Sequence, residues 1–158
     1  MSSEPTPGAD KVRRILLAED DAALRVLLEM SLRAEGYEVI PAVDGLELSA
    51  LIAAFPVVDL VIADVRMPGR SGLDVLSRFR SHDLTTPFVL ITSFGSEELH
   101  AEARRLGATA VFDKPFDLDE LRLVVRRLAP IGAIGPRRSD PDLIRSADSR
   151  RRLHDSNV

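Results

Sequence analysis

The residues of this chain best suited to chemistry are acids that follow two short apolar runs. Residues 15–18 lead into Glu19 and Asp20, and residues 57–63 lead into Asp64. If these runs are neighbouring strands of a parallel sheet, the three carboxyl groups meet beyond the strand ends. Two carboxylates about 4 Å apart repel by about 4 kcal/mol at an effective dielectric near 20. A bound cation or a proton must therefore offset the repulsion.

The three acids predict a magnesium site. An all-oxygen, partly hydrated set of two or three carboxylates suits Mg²⁺ better than a softer metal. Asp21, which comes next in the chain, is assigned to the N-cap of a helix, because a cap needs a single acid. The same acids make a dinucleotide site improbable, since they stand where a G-x-G-x-x-G turn would have to approach a pyrophosphate.

Asp64 is a candidate nucleophile, because a carboxylate can accept a phosphoryl group to form an acyl phosphate. The transfer requires the charge on the phosphoryl oxygens to be neutralised. Mg²⁺ can neutralise one oxygen, the ammonium of Lys114 a second, and the hydroxyl of Thr92 can donate to a third. Taken singly, Lys114 is more simply explained as a surface lysine and Thr92 as a strand-end hydroxyl. Their joint placement after four apolar runs indicates a site.

Five apolar runs that alternate with helical patterns must position these residues. The runs predicted as strands are residues 15–18, 38–41, 57–63, 88–92 and 110–112. Asp44 and Asp117 each precede a helical pattern with an acid three residues later, and Gly36 and Gly107 stand where helices should end. The alternation predicts an α/β fold, a doubly wound five-stranded parallel sheet with the flavodoxin-like order 2-1-3-4-5, (βα)5.

Length and composition set the domain organisation. The 158 residues suffice for one domain with a tail. Residues 12–129 carry the whole pattern, residues 1–11 are predicted to be a flexible leader, and residues 130–158, rich in Arg, Pro, Ser and Asp, a mostly disordered tail. The absence of cysteine excludes disulfides and thiolate metal sites. With no signal peptide and no apolar run of membrane-spanning length, we expect a cytoplasmic protein.

In their order and spacing, these residues resemble the motifs of a response-regulator receiver domain of the stand-alone, single-domain type. Receiver domains are the phosphorylatable modules of two-component signalling. The similarity covers residues 12–129, and its motifs are Ile15–Asp21, Asp64–Pro68 with Gly72, Leu90–Ser93 and Lys114–Phe116. The resemblance implies that Asp64 receives the phosphoryl group from a sensor histidine kinase or a phosphotransfer protein.

The resemblance also implies roles for the residues around Asp64. Asp20 and Asp64 would bind Mg²⁺ directly, Glu19 would bind it through water, and the backbone carbonyl of Arg66 would complete the protein ligands. Lys114 and Thr92 would contact the phosphoryl oxygens as the catalytic and switch residues.

Three further positions carry expectations. Receivers that switch strongly usually have an aromatic residue three positions before the lysine, and this chain has Val111 there, followed by Phe112. The usual coupling between the hydroxyl residue and that aromatic is therefore in question. Phe94, two residues past Thr92, would flank the phosphoryl group and hinder water. His100 is expected on a solvated helix face, away from the acids.

The expected function is a phosphorylation-dependent signalling switch, a regulator rather than a turnover enzyme. It would relay the signal to a downstream protein target through its fourth helix, fifth strand and fifth helix. A phosphatase of the haloacid-dehalogenase type is disfavoured, because Arg66 stands where it needs a second acid.

Two alternatives remain open. One is a non-phosphorylated, receiver-like scaffold, which would have no need of Thr92 and Lys114. The other is a DNA-associated regulator that uses the six Arg of residues 130–158, although four Asp are interspersed among them. We expect no membrane partner, and a nucleic-acid partner is disfavoured by the net charge of −4 and the low aromatic content.

Overall fold

A five-stranded parallel sheet forms the centre of the protein. The structure, a computed structural model, describes residues 12–132, so the predictions for residues 1–11 and 133–158 lie outside it. The strands are β1 Arg14–Ala18, β2 Glu38–Ala42, β3 Leu60–Asp64, β4 Phe88–Thr92 and β5 Ala110–Asp113. Their order is β2-β1-β3-β4-β5 and every pairing is parallel. The predicted fold class is confirmed.

Five helices cover the two faces of this sheet. They are α1 Ala22–Ala34, α2 Gly45–Ala54, α3 Gly72–Arg80, α4 Glu97–Arg105 and α5 Leu118–Leu128. Alternate residues of each strand point to opposite faces, so the sheet has a core on each side. Leu28 of α1 and Val125 of α5 belong to one core, and Leu48 of α2, Leu76 of α3 and Ala103 of α4 belong to the other.

Capping residues set the helix ends largely as predicted. The carboxylates of Asp21 and Asp44 accept hydrogen bonds from the backbone N–H groups three residues on, at 3.1 and 2.8 Å. Asp117 also caps its helix, but it accepts from the N–H of Asp119 at 2.8 Å rather than from the predicted third residue. Gly36 and Gly107 end helices with φ of +105° and +100°, where a side chain would be strained.

The bounds of β3 differ from the prediction of residues 57–63. The strand begins at Leu60 and ends at Asp64. Asp59 is 3% exposed, and its carboxylate accepts a hydrogen bond from the backbone N–H of Arg14 at 2.8 Å. This side-chain contact to the start of β1 satisfies Asp59, while Val57 stays half exposed in the preceding loop. Asp64 is the last residue of β3, and the pairing of β3 with β4 fixes its position.

The chain keeps contact with the domain just past α5. The hydroxyl of Tyr37 donates to the carbonyl of Ala129 at 2.7 Å, and Arg13 Nε donates to the carbonyl of Pro130 at 3.0 Å. Burial raises the pKa of Tyr37 to about 12, so it remains a donor over the physiological range. Within residues 12–132, no helix combines the length and the apolar character needed to cross a membrane.

Candidate functional site

The three predicted acids meet at the carboxyl ends of β1 and β3. Glu19 follows β1 directly and Asp64 ends β3, and the pairing of Ala18 with Ala63 sets the two strand ends side by side. One carboxylate oxygen from each of Glu19, Asp20 and Asp64 lies within 4.8 Å of the others. Glu19 and Asp64 are 0% and 4% exposed, whereas Asp20 is open to solvent. The pocket thus combines two buried acids with one exposed acid.

Lys114 bridges the two buried acids. Its Nζ lies 2.8 Å from Asp64 Oδ2 and 3.0 and 3.2 Å from the two carboxylate oxygens of Glu19. The backbone N–H of Lys114 donates to the carbonyl of Thr92 at 2.7 Å, which fixes the start of the loop after β5. Desolvation opposes the charge of Lys114, but hydrogen bonds to Asp64 and Glu19 outweigh it and raise its pKa. Lys114 is therefore a permanent cation in the pocket.

The burial of Glu19 and the clustered charge around it shift its pKa. Burial raises the pKa of Glu19 to about 7, the hydrogen bond from Lys114 works against this rise, and the charge of Asp64 adds to it. A proton on Glu19 is thus one way to relieve the repulsion, as the sequence indicated. A divalent cation would compete with that proton, because it needs the carboxylate ionised.

The donor set fits Mg²⁺. It consists of carboxylate oxygens that converge on one point, and one of the acids is exposed to the water that Mg²⁺ retains in proteins. Both carboxylate oxygens of Glu19 contact Lys114, and one of them also accepts from the N–H of Asp21 at 3.3 Å. This is compatible with the expected contact of Glu19 to the metal through water.

The loop after β3 is folded tightly around Asp64. The backbone N–H of Arg66 donates to Asp64 Oδ1 at 3.2 Å, and the N–H of Gly72 donates to the carbonyl of Val65 at 2.9 Å. A Cβ at position 72 would clash with the backbone carbonyl of Asp64. The glycine of this motif is therefore required by the close approach of α3 to the strand end.

Thr92 lies at the matching end of β4, next to β3 in the sheet. It is 1% exposed, and its Oγ1 accepts a hydrogen bond from the N–H of Phe94 at 3.2 Å. Phe94 itself is 66% exposed, and its ring lies 4.6 Å from the guanidinium carbon of Arg66. Phe94, which is expected to flank the phosphoryl group, therefore contacts the Arg66 side chain by a cation–π interaction.

Val111 faces one core, and Phe112 faces the other. Val111 is 4% exposed and packs among Leu90, Ala103 and their neighbours. Phe112 packs on the opposite side of the sheet, with its ring 5.9 Å from that of Phe116. Phe112 therefore cannot take the place of the aromatic residue that is missing at position 111.

The expectation for His100 is wrong. Its side chain is 14% exposed, and its Nε2 lies 2.8 Å from Asp113 Oδ1. The periodicity of α4 places His100 off the apolar stripe, but the packing of α4 against β5 gives it an acidic partner one residue before Lys114. His82 is exposed, and His154 lies outside the described residues.

One residue near the acids escaped the sequence reasoning. Arg25 of α1 donates from Nη1 to the backbone carbonyl of Glu19 at 2.8 Å. It thereby fixes the backbone from which Glu19 and Asp20 extend. Its place one turn after the capping residue Asp21 was the available signal, but only the fold shows that the side chain turns back to the strand end.

Comparison with known proteins identifies the family. Residues 15–126 match the family model described as the response regulator receiver domain. Sporulation initiation phosphotransferase F of Bacillus subtilis is 34% identical over 119 residues, which cover 75% of this chain and 94% of that protein. The transcriptional regulatory protein PdtaR of Mycobacterium tuberculosis is 42% identical over 137 residues, 82% of this chain and 66% of that protein. This chain belongs to the family of response regulator receiver domains.

Solved structures agree with this assignment. The chemotaxis response regulator CheY4 of Vibrio cholerae superposes with a TM-score of 0.69 at 30% identity, over 75% of this chain and 99% of that one. The response regulator TrrA of Thermotoga maritima, in complex with Mg²⁺ and BeF, gives a TM-score of 0.67 at 32% identity, over 74% and 99% of the two chains. The family is regulatory, and its receivers accept phosphoryl groups from histidine kinases or phosphotransfer proteins.

Proposed function

We propose that this protein is a signalling switch that accepts a phosphoryl group on Asp64 in a Mg²⁺-dependent reaction. The donor is a phosphohistidine of a sensor histidine kinase or of a phosphotransfer protein. The observation that carries the proposal is the bridge of Lys114 between two buried carboxylates, Glu19 and Asp64. Such a cluster is costly to bury. Phosphoryl transfer is a function that would use both carboxylates and the lysine.

Asp64 is the nucleophile in this proposal. A carboxylate oxygen of Asp64 forms a bond to phosphorus, the bond from phosphorus to the histidine nitrogen breaks, and the released imidazole keeps that electron pair and takes a proton from water. The carboxylate loses its formal charge, and negative charge then resides on the phosphoryl oxygens. Lys114, on a flexible stem, follows this charge. Thr92 Oγ1 uses a lone pair to accept from Phe94, so its proton can be directed to a phosphoryl oxygen.

Mg²⁺ would be held by Asp20, Asp64 and the backbone carbonyl of Arg66, with Glu19 contacting it through water. When bound, the metal supplies positive charge for one phosphoryl oxygen and relieves the repulsion among the acids. Asp20 is the exposed acid of the pocket, and the side chain of Lys114 is 19% exposed. The donor therefore approaches from the side of Asp20.

The downstream partner is proposed to be a protein that contacts α4, β5 and α5. Several arginines on this face are paired with acids. Arg126 and Arg122 pair with Glu35 of α1 at 2.7 and 4.0 Å, and Arg105 pairs with Glu102 at 2.6 Å. Recognition of this face therefore depends on its shape and position more than on a strong positive field.

The two alternatives differ in how the structure bears on them. A non-phosphorylated scaffold has no use for two buried acids that share one lysine, so the pocket disfavours it. A DNA-associated role for the tail concerns residues that lie almost entirely outside the described part of the chain, and it remains an alternative. A steep salt dependence of DNA binding that disappears on removal of residues 130–158 would support it.

Intact-mass spectrometry tests the proposal. The protein is incubated with acetyl phosphate, with Mg²⁺ or with EDTA, and the wild type is compared with Asp64→Asn and with Asp74→Asn, which changes an exposed acid of α3. We expect a gain of about 80 daltons in the wild type and in Asp74→Asn, only with Mg²⁺, and no gain in Asp64→Asn. A gain that persists in Asp64→Asn would refute the assignment of the acceptor.

A further inference from the structure

The side chains of His100 and Asp113 join α4 to the end of β5. His100 Nε2 lies 2.8 Å from Asp113 Oδ1. Gly95, in the loop before α4, lies against both, and a Cβ at that position would clash with Asp113 Oδ1 and press on His100 Nε2. We call these three residues, Gly95, His100 and Asp113, the α4–β5 clasp. A residue without a side chain is needed at position 95 for the clasp to close.

The clasp is directly connected to two residues of the candidate site. Asp113 precedes Lys114 in the chain and pairs with Thr92 in the β4–β5 ladder. Thr92 Oγ1 in turn holds the N–H of Phe94, the residue before Gly95, at 3.2 Å. Lys114 and Thr92 are therefore each connected to the clasp through adjacent backbone.

The helix that the clasp holds buries few apolar side chains, although Leu99 packs partly buried against the core. Ala103 is the one residue of α4, which the structure describes completely, that is fully buried. The fully described α5, by comparison, buries Leu121, Val124, Val125 and Leu128. A cleft of about 510 Å³ opens beside the clasp, between α4 and the end of β5. With so little apolar burial, a hydrogen bond to a carboxylate contributes a large share of what holds α4 in place.

We propose that the clasp holds α4 in its unphosphorylated position and opens when Asp64 is phosphorylated, which releases α4 as the output element. The inference rests on the proposed function. As Lys114 and the Thr92 hydroxyl move to the phosphoryl oxygens, they pull Asp113 and the loop before α4 in different directions, and the bond from His100 to Asp113 is lost. A contact made in one of two states biases the equilibrium toward that state.

The clasp also provides coupling that does not depend on position 111. Val111 is 4% exposed within a packed core, and its small side chain has no polar group that could follow the Thr92 hydroxyl. Asp113, by contrast, is the exposed last residue of the same strand, and His100 of α4 can separate from it without opening the core. The clasp therefore takes over the role that an aromatic residue at position 111 would otherwise have.

Beryllofluoride, a phosphoryl analogue, tests the inference in the presence of Mg²⁺ on the full chain. The variants are His100→Ala, Asp113→Ala and the conservative His100→Gln, whose amide nitrogen reaches the place of Nε2. Arg105→Gln is the matched control, because it removes an exposed ion pair within the same helix, to Glu102. The measurements are the beryllofluoride affinity by calorimetry and hydrogen–deuterium exchange of the peptide that contains α4.

We expect His100→Ala and Asp113→Ala to bind beryllofluoride about fivefold more tightly than the wild type, since about one hydrogen bond opposing activation is removed. The double variant should gain no more than either single variant. Exchange of α4 in His100→Ala without beryllofluoride should rise above that of the wild type without it, toward that of the wild type with beryllofluoride. His100→Gln should return toward the wild type, and Arg105→Gln should equal it.

Equal or weaker binding of beryllofluoride by both alanine variants would overturn the inference, as would unchanged exchange of α4. In either case the wild type would still bind beryllofluoride with Mg²⁺ and gain mass from acetyl phosphate, so the proposed function would stand. If the wild type did neither, both the proposed function and the clasp would fall. A purely structural contact would lower the stability of the variants and leave the affinity for beryllofluoride unchanged.

Discussion

Replacing Lys114 with methionine should destabilise the fold by an amount that depends on pH. The ammonium lies 2.8 Å from Asp64 and 3.0 Å from Glu19, so each pair contributes a gross attraction of about 6 kcal/mol at an effective dielectric near 20. The net loss is smaller, because the variant no longer buries the ammonium and Glu19 can take up a proton. Removing one partner of a buried charge pair costs about 3–5 kcal/mol, and we expect about 3 kcal/mol.

Thermal unfolding followed by circular dichroism measures this loss. For a domain of this size, about 3 kcal/mol corresponds to a fall in Tm of about 10 °C. The fall should be larger at pH 8 than at pH 6, because the loss of the Lys114 hydrogen bond raises the pKa of Glu19 further in the variant. The proton on Glu19 that relieves the two stranded carboxylates is then increasingly lost as pH rises. Millimolar Mg²⁺ should raise the Tm of Lys114→Met more than that of the wild type, since it replaces the missing cation.

Two comparison variants make this prediction specific. Arg105→Met also removes a cation from an ion pair, but both partners are exposed, and its Tm should stay within the scatter of the measurement. Glu19→Gln combined with Lys114→Met should recover part of the loss, because one of the stranded carboxylates is gone. The reasoning is refuted if Lys114→Met unfolds within about 2 °C of the wild type at pH 8 in EDTA, or if its loss is the same at both pH values.

Three further predictions address the pocket and its surroundings. The pKa of Glu19 is raised from 4.5 to about 7 in the folded protein, so its contribution to the free energy of unfolding is present below pH 4.5 and is lost as pH rises to about 7. Urea titrations in EDTA should show this pH dependence in the wild type and not in Glu19→Gln. Stabilisation of the wild type by Mg²⁺ should grow over the same pH range. Phe94→Ala should lose the phosphoryl group several-fold faster by intact mass, and equal decay would show that the ring does not hinder water; Leu84→Ala, at an 81% exposed site away from the pocket, is the control. Gly72→Ala should cost about 2–3 kcal/mol, since its Cβ would clash with the backbone of Asp64, and a urea midpoint equal to that of the wild type would contradict this.

The local sequence predicted the sheet and the convergence of the acids because both depend on short-range features. Strands buried on both faces are apolar along their length, and the carboxyl ends of parallel strands lie on one edge of the sheet. The positions of Glu19, Asp64, Thr92 and Lys114 after their strands therefore follow once the order of the strands is given. The predicted order was the flavodoxin-like 2-1-3-4-5, and the structure confirms it.

The errors arise where a contact joins distant parts of the chain. Val57 and Val58 have strand-like character, but the carboxylate of Asp59 binds the backbone of Arg14 and delays the start of β3. His100 was misassigned for the same reason, since its partner belongs to another element. No local pattern contains these pairings.

The most direct test of the central claim is to locate the phosphoryl group chemically. After incubation with acetyl phosphate and Mg²⁺, sodium borohydride reduces an acyl phosphate to an alcohol, and the modified residue is then read from peptide fragments by mass spectrometry. We predict reduction to homoserine at position 64. The reduction should depend on Mg²⁺ and should be greatly diminished in Lys114→Met. Reduction at another carboxylate, or at position 64 to the same extent in EDTA, would contradict a site built from Glu19, Asp20, Asp64 and Lys114.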